Sequence, residues 1–166
     1  MPISPVTAIT RQATRRDGEK LNILTFPTHE RYETNLALTG HNFYSFRATD
    51  VAEIKSDWNT NYGDVPDNYI LMDGGKGNGQ IPLDVDFDLV LCQNKFGQYQ
   101  LGASLARQLN LPLLCLEHTL PMPQWDEGVL HNMRSMRGDM NVFVSQSRSQ
   151  AVFCFLCPHY QVHHYR

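Results

Sequence analysis

Apolar and polar positions fall in blocks along this chain, and the sharpest block runs from Asp88 to His118. Leu89, Val90, Leu91 and Cys92 form a short continuous apolar run, the pattern of a strand buried on both faces. Gln93, Asn94, Lys95, Phe96 and Gly97 break it. From Gln98 onward, Leu101, Leu105 and Leu109 recur at i, i+4 and i+8 with Ala103 and Ala106 beside them, which predicts an amphipathic helix. Asn110 and Leu111 close the helix. Pro112 opens a second apolar run, Leu113 to Leu116, which ends in Glu117 and His118. The block reads as strand, helix, strand, with a polar loop at the carboxyl end of each strand.

The same grammar recurs upstream. Leu21 to Phe26 reads as a buried strand ended by Pro27. A helix follows, with Thr28 as its expected N-cap, Tyr32, Leu36 and Leu38 as its apolar face and Gly40 as its stop. Asn42 to Phe46 is the next strand. From Arg47 to Asp86 no period holds for more than a turn, although Val51, Ile54 and Trp58 suggest a short helix face and Tyr69 to Met72 a short strand. Downstream, Thr119 to Pro123 is a proline-punctuated loop. Val129, Met133 and Met136 mark a helix ending at Gly138, and Asn141 to Ser145 is a strand. Ser147 is placed to cap a last short helix over Ser149 to Phe153, and Gln161 to His164 a final strand. Strands alternating with helices at this spacing predict an α/β, Rossmann-like parallel sheet flanked by helices in a single domain over residues 20–166, behind a polar, solvated leader over residues 1–19.

Composition adds exclusions. The 166 residues are 42% hydrophobic and 19% charged with a net charge of −3, a balance that gives no electrostatic footprint for nucleic acid. No apolar run approaches the roughly 18 residues that read as a transmembrane helix, and the leader lacks the apolar stretch of a secretory signal. Cys92 and Cys115 lie inside apolar strand patterns, a usage that fits a reducing, cytoplasmic compartment.

Two motifs invite anion or metal readings. The stretch Asp73–Gly79 carries four glycines and Lys76, but it lacks the Gly-Lys-Ser/Thr ending of a phosphate loop and is followed by Pro82, so a connector is expected. Asp84, Asp86 and Asp88 alternate like metal-ligating carboxylates, yet they precede a strand, whereas α/β sites lie at the carboxyl ends.

Three pieces, LNILTFPTHERYE, FDLVLCQNKFGQYQLGASLARQLNLPLLCLEH and MNVFVSQSRSQAV, resemble the amino-terminal Rossmann-like domain of retaining GT-B glycosyltransferases, over roughly residues 20–152. The resemblance implies a hexosyltransferase-like activity in which this half contributes much of the sugar-acceptor site. A donor-binding domain, in cis or trans, would hold the nucleotide sugar as substrate, with no cofactor required. It also matches His118 to a histidine near the transferred sugar. No glycine pair follows the first strand, where many relatives bring backbone close to the donor phosphates, and the residues after Ser149 depart from the family pattern as a truncated or altered carboxyl end would; no second domain is read in these residues, so the isolated chain is expected to be inactive.

The residues themselves allow that chemistry. His118 ends a buried strand at the edge where open α/β sheets bind ligands, and an imidazole there donates to a hydroxyl or a developing negative charge. Gln93, Asn94 and Lys95 end the neighbouring strand with amide donors and acceptors suited to polyhydroxyl ligands, and a lysine suited to phosphate. Thr28, His29 and Glu30 follow the first strand, where free helix amides would favour an anion. Glu117 offers a base or a partner for His118, although neighbours in an extended segment point to opposite sides. Each has an ordinary structural alternative, a polar turn or a loop side chain bonded to backbone. The chain's end offers a rival: Cys154 and Cys157 with His159, His163 and His164 have the makings of a zinc site, without a second ligand pair across a longer loop. Two alternatives to the transferase half therefore stand, a non-catalytic carbohydrate- or nucleotide-binding or partner-docking module and a small zinc protein.

Overall fold

A computed structural model describes residues 18–47, 54, 57–72, 74–75, 78–79, 81–82, 84–93, 95–117 and 124–143. His118, Asn94, the Thr119–Pro123 loop, most of the leader and the tail with Cys154, Cys157, His159 and His163 lie outside the described residues. In chain order the elements are β1 (Asn22–Thr25), α1 (Glu30–Ala37), β2 (Asn42–Phe46), β3 (Tyr69–Met72), a hairpin of β4 (Gly74–Gly75) and β5 (Asn78–Gly79), β6 (Leu89–Cys92), α2 (Lys95–Leu109), β7 (Leu113–Glu117), α3 (Glu127–Ser135) and β8 (Met140–Phe143). A 3-10 turn, Thr60–Tyr62, precedes β3.

Six strands make one all-parallel sheet in the order β3-β2-β1-β6-β7-β8. The chain walks outward from β1 through β2 to β3, returns to the centre, and walks the other way from β6 to β8. Order therefore reverses between β1 and β6, paired with Ile23 opposite Leu89 and Thr25 opposite Leu91. In an open parallel sheet that reversal leaves a crevice at the carboxyl ends of the two central strands, because the following connections depart to opposite faces.

Two apolar clusters fill the two faces. Leu24, Phe26, Val90, Cys92, Leu113 and Cys115 pack with Ala106, Leu101 and Leu105 of α2. Ile23, Phe43, Tyr69 and Leu91 pack with Leu36 of α1 and with Trp58. Alternate residues of each strand feed alternate clusters, as the two-residue period of a strand requires. Gly102 lets α2 approach the sheet, because a β-carbon there would run into Cys92 Sγ and the Phe26 ring. Phe96 and Gly97 are not helical, and Gly97 has φ of 83°. The regular part of α2 thus begins near Gln98, after the loop that its sequence predicts.

Several expectations change. The N-cap of α1 is His29, whose Nδ1 accepts from Arg31 N, because the Thr28 hydroxyl turns instead to Glu33. Tyr32 and Leu38 are exposed, and the buried positions of the helix are Glu30, Glu33 and Ala37. A helix meets a sheet along one stripe, and here carboxylates occupy it because polar partners await them. The predicted helix around Val51 lies largely outside the described residues, while Ile54 joins the first cluster and Trp58 packs on Tyr69. Asp88 closes the amino edge, accepting from Asn22 N at 2.7 Å. Among the described residues, no three His, Cys, Asp or Glu side chains gather as a metal would need.

Candidate functional site

The rim between β1 and β6 is built around Glu33. Its carboxylate is 1% exposed and accepts from Thr28 N at 2.9 Å, Thr28 Oγ1 at 3.1 Å, Tyr69 Oη at 2.8 Å and Gln93 Nε2 at 2.9 Å to each oxygen. One side chain of α1 thereby joins the loop after β1, the start of β3 and the end of β6. Burial pushes the Glu33 carboxyl above its ordinary range, and the hydrogen bonds from Thr28, Gln93 and Tyr69 oppose that rise. The Tyr69 phenol is raised well above its own range, first by burial and then by the neighbouring Glu33 charge.

Gln98 completes the cradle from the other side. Its Oε1 accepts from Gln93 N at 3.1 Å and its Nε2 donates to Phe26 O at 3.5 Å, so it fastens the carboxyl ends of β6 and β1 together. Gln93 Oε1 is buried without a hydrogen-bond partner among the described residues. The amide orientation follows from its neighbour, since only the NH2 side can face a carboxylate.

Glu30 organises the flank. It is also 1% exposed and accepts from Asn59 N at 2.7 Å. Asn59 in turn caps the Thr60–Tyr62 turn by accepting from Asn61 N at 3.0 Å. Pro27, His29, Glu30, Glu33, Asp57 and Trp58 line a small crevice here, together with Arg47, whose Nε donates to Met72 O at 3.1 Å. Tyr62 brings its ring to 4.9 Å from that of His29, centroid to centroid.

Thr28, His29, Glu30 and Gln93 therefore come together at the switch point. Lys95 begins α2 on the same rim. Thr28 N and Arg31 N already donate to side chains, and two buried carboxylates stand in the first turn, so the amides thought free for an anion are engaged. Glu117 closes β7 with its side chain 3% exposed. It shares a sheet face with Leu113 and Cys115, and its charge contributes to raising the Cys92 thiol, whose main cause is burial. In the glycine-rich stretch, Gly74–Gly75 and Asn78–Gly79 pair antiparallel.

Sequence reasoning passed over Glu33, Tyr69, Gln98 and Tyr62. The signal for the first was present, because Glu30, Glu33 and Ala37 share the i, i+3, i+7 stripe that faces the sheet. A larger groove of about 330 Å³, lined by Tyr99, Arg107, Asn110, Arg137 and Asp139, opens at the opposite, amino edge.

No family model, curated protein or solved structure matches the chain.

Proposed function

We propose that this chain is the acceptor-side half of a glycosyltransferase, holding an uncharged polyhydroxyl acceptor at the β1–β6 rim while a donor-binding domain in cis or trans carries the nucleotide sugar. The observation that supports this best is the pair of buried carboxylates, Glu30 and Glu33, in the first turn of α1. Dinucleotide-binding domains of the same strand order use a glycine-rich turn and free helix amides at that place to hold a diphosphate. Here the connection reads Phe26-Pro27-Thr28-His29, without glycine, and a phosphate would meet like charge. The acceptor Gln93 Oε1 and the His29 ring supply hydrogen-bonding positions at the rim beside Arg47, and these suit sugar hydroxyls. His118, next in sequence after Glu117, is the proposed catalytic group, donating a hydrogen bond to the sugar or to developing charge.

A nucleotide-binding module is the second reading, favoured by the strand order itself. Calorimetric titration separates the two. Under the transferase reading, methyl α-D-glucopyranoside binds weakly, UDP-glucose binds no more tightly than the glycoside, and the chain alone leaves UDP-glucose intact. Markedly tighter binding of UDP than of the glycoside would move the chain to the nucleotide-binding class.

A further inference from the structure

One side chain at the switch point is held so that it can act in a single way. Gln93 follows directly on β6 and is 2% exposed. Its amide nitrogen donates to both oxygens of Glu33, at 2.9 Å each, which spends both N–H bonds of the group. Glu33 is fixed as the acceptor in turn. Its Oε1 also accepts from the backbone N–H of Thr28, which can only donate, and its Oε2 accepts from the Tyr69 hydroxyl. At the other end, the Gln93 backbone N–H is fastened to Gln98 Oε1 at 3.1 Å. Flipping the Gln93 amide would set its oxygen against the carboxylate, so the side chain is locked with Oε1 turned away from Glu33.

That oxygen is buried and has no hydrogen-bond partner among the described residues. Buried acceptors are nearly always satisfied, so an exception calls for a donor from elsewhere. Its position supplies the candidate, because the carboxyl ends of β1 and β6 are where an open parallel sheet takes its ligands. What the oxygen selects follows from its own chemistry and not from the charges around it. An acceptor is satisfied by a hydroxyl or an N–H and rejects an isosteric group that can only accept.

We propose that Glu33 is a positioning residue that fixes Gln93 as a hydrogen-bond acceptor, so that the β1–β6 rim selects a ligand bringing a donor, a hydroxyl or an N–H, to Gln93 Oε1. The assignment rests on the acceptor reading above in placing the ligand at this rim, and it names the group that the ligand must offer there. Side chains of the rim part as that donor enters. The test is ¹⁵N-resolved NMR titration of the whole chain, for the wild type, Glu33→Gln and Gln93→Met, with methyl α-D-glucopyranoside and its monodeoxyfluoro analogues, each of which loses the donor at one ring position. Uridine and 3-methyluridine repeat the comparison for an N–H. In the wild type, one fluoro analogue is expected to bind about tenfold more weakly than the parent sugar. Glu33→Gln lets Gln93 turn its oxygen inward and its N–H outward, so there the same analogue binds as well as the parent. Gln93→Met, which leaves Glu33 in place, weakens the parent and abolishes the difference. Parent and analogues that bind the rim equally in the wild type, or that keep their wild-type order in Glu33→Gln, overturn the lock and leave the acceptor reading intact. Discrimination between uridine and 3-methyluridine that disappears in Glu33→Gln, with no glycoside bound, upholds the lock and overturns the acceptor reading. Failure of glycosides and uridine alike to shift the Thr28 and Gln93 amides overturns both.

Discussion

Replacing Glu33 isolates the central interaction of the rim. In Glu33→Ala the Thr28 N–H, the Tyr69 hydroxyl and the Gln93 amide all lose their shared acceptor. Each buried donor left unsatisfied costs about 1–3 kcal/mol, so a loss of roughly 3–5 kcal/mol is expected once the groups relax and water enters. That is a large share of the 5–15 kcal/mol that holds a typical domain together. Glu33→Gln is milder, at about 1 kcal/mol. Its oxygen can keep the Thr28 bonds, and a flipped Gln93 can present Oε1 to the new amide, giving a partner to an atom that has none among the described residues. The pH dependence has a definite sign. Burial raises the folded carboxyl above its ordinary 4.5, so between that value and the folded one the native state holds more protons than the unfolded state. Glu33 therefore contributes most below the unfolded value, and its contribution falls as pH rises through the folded one. Urea denaturation of wild type and Glu33→Gln across this window should show the wild type losing ground to the variant with rising pH. A wild type that gains on Glu33→Gln, or a Glu33→Ala cost below about 1 kcal/mol, would refute the reasoning.

Three further predictions concern packing and capping. Gly102→Ala should lower stability by about 1–3 kcal/mol through overpacking, and Cys92→Ala should recover part of it, because Cys92 Sγ is the atom that the new methyl meets first; a thermal-melt double-mutant cycle measures the coupling. The Cys92 thiol, pushed far up by burial, should resist disulfide reagents in the native protein and react on unfolding, as peptide mass mapping after labelling will show. Asp126→Ala should cost about 1 kcal/mol by removing the 2.8 Å cap bond to Val129 N, read as a lower denaturation midpoint with fraying of α3 in hydrogen exchange.

The sheet was largely legible because buried parallel strands announce themselves as apolar runs. Leu89–Cys92 and Leu113–Leu116 are neighbouring parallel strands, with Val90 opposite Leu113 and Cys92 opposite Cys115, and the break at Gln93–Gly97 is where the backbone leaves helical geometry. The inner face of α1 was not legible in the same way. A search for apolar periodicity selects Tyr32 and Leu38, while the sheet side of the helix carries Glu30 and Glu33, whose burial is made tolerable by donors from distant segments. Such donors leave no period in the sequence: Tyr69 lies 36 residues from Glu33 and Gln93 lies 60 away. Adjacency of Thr28–Glu30 to Gln93 follows from strand order, and that order is decided by the return from β3 to β6, across a stretch with no readable pattern.

Residue-resolved mapping of a bound glycoside tests the account most directly. ¹⁵N-resolved titration of the whole chain with methyl α-D-glucopyranoside should move the amides of Thr28, His29, Glu30 and Gln93 together along one saturable curve, while UDP leaves them in place. Shifts confined to Arg107, Asn110 and Arg137 at the opposite edge, or a rim that answers to UDP and ignores the glycoside, would contradict it.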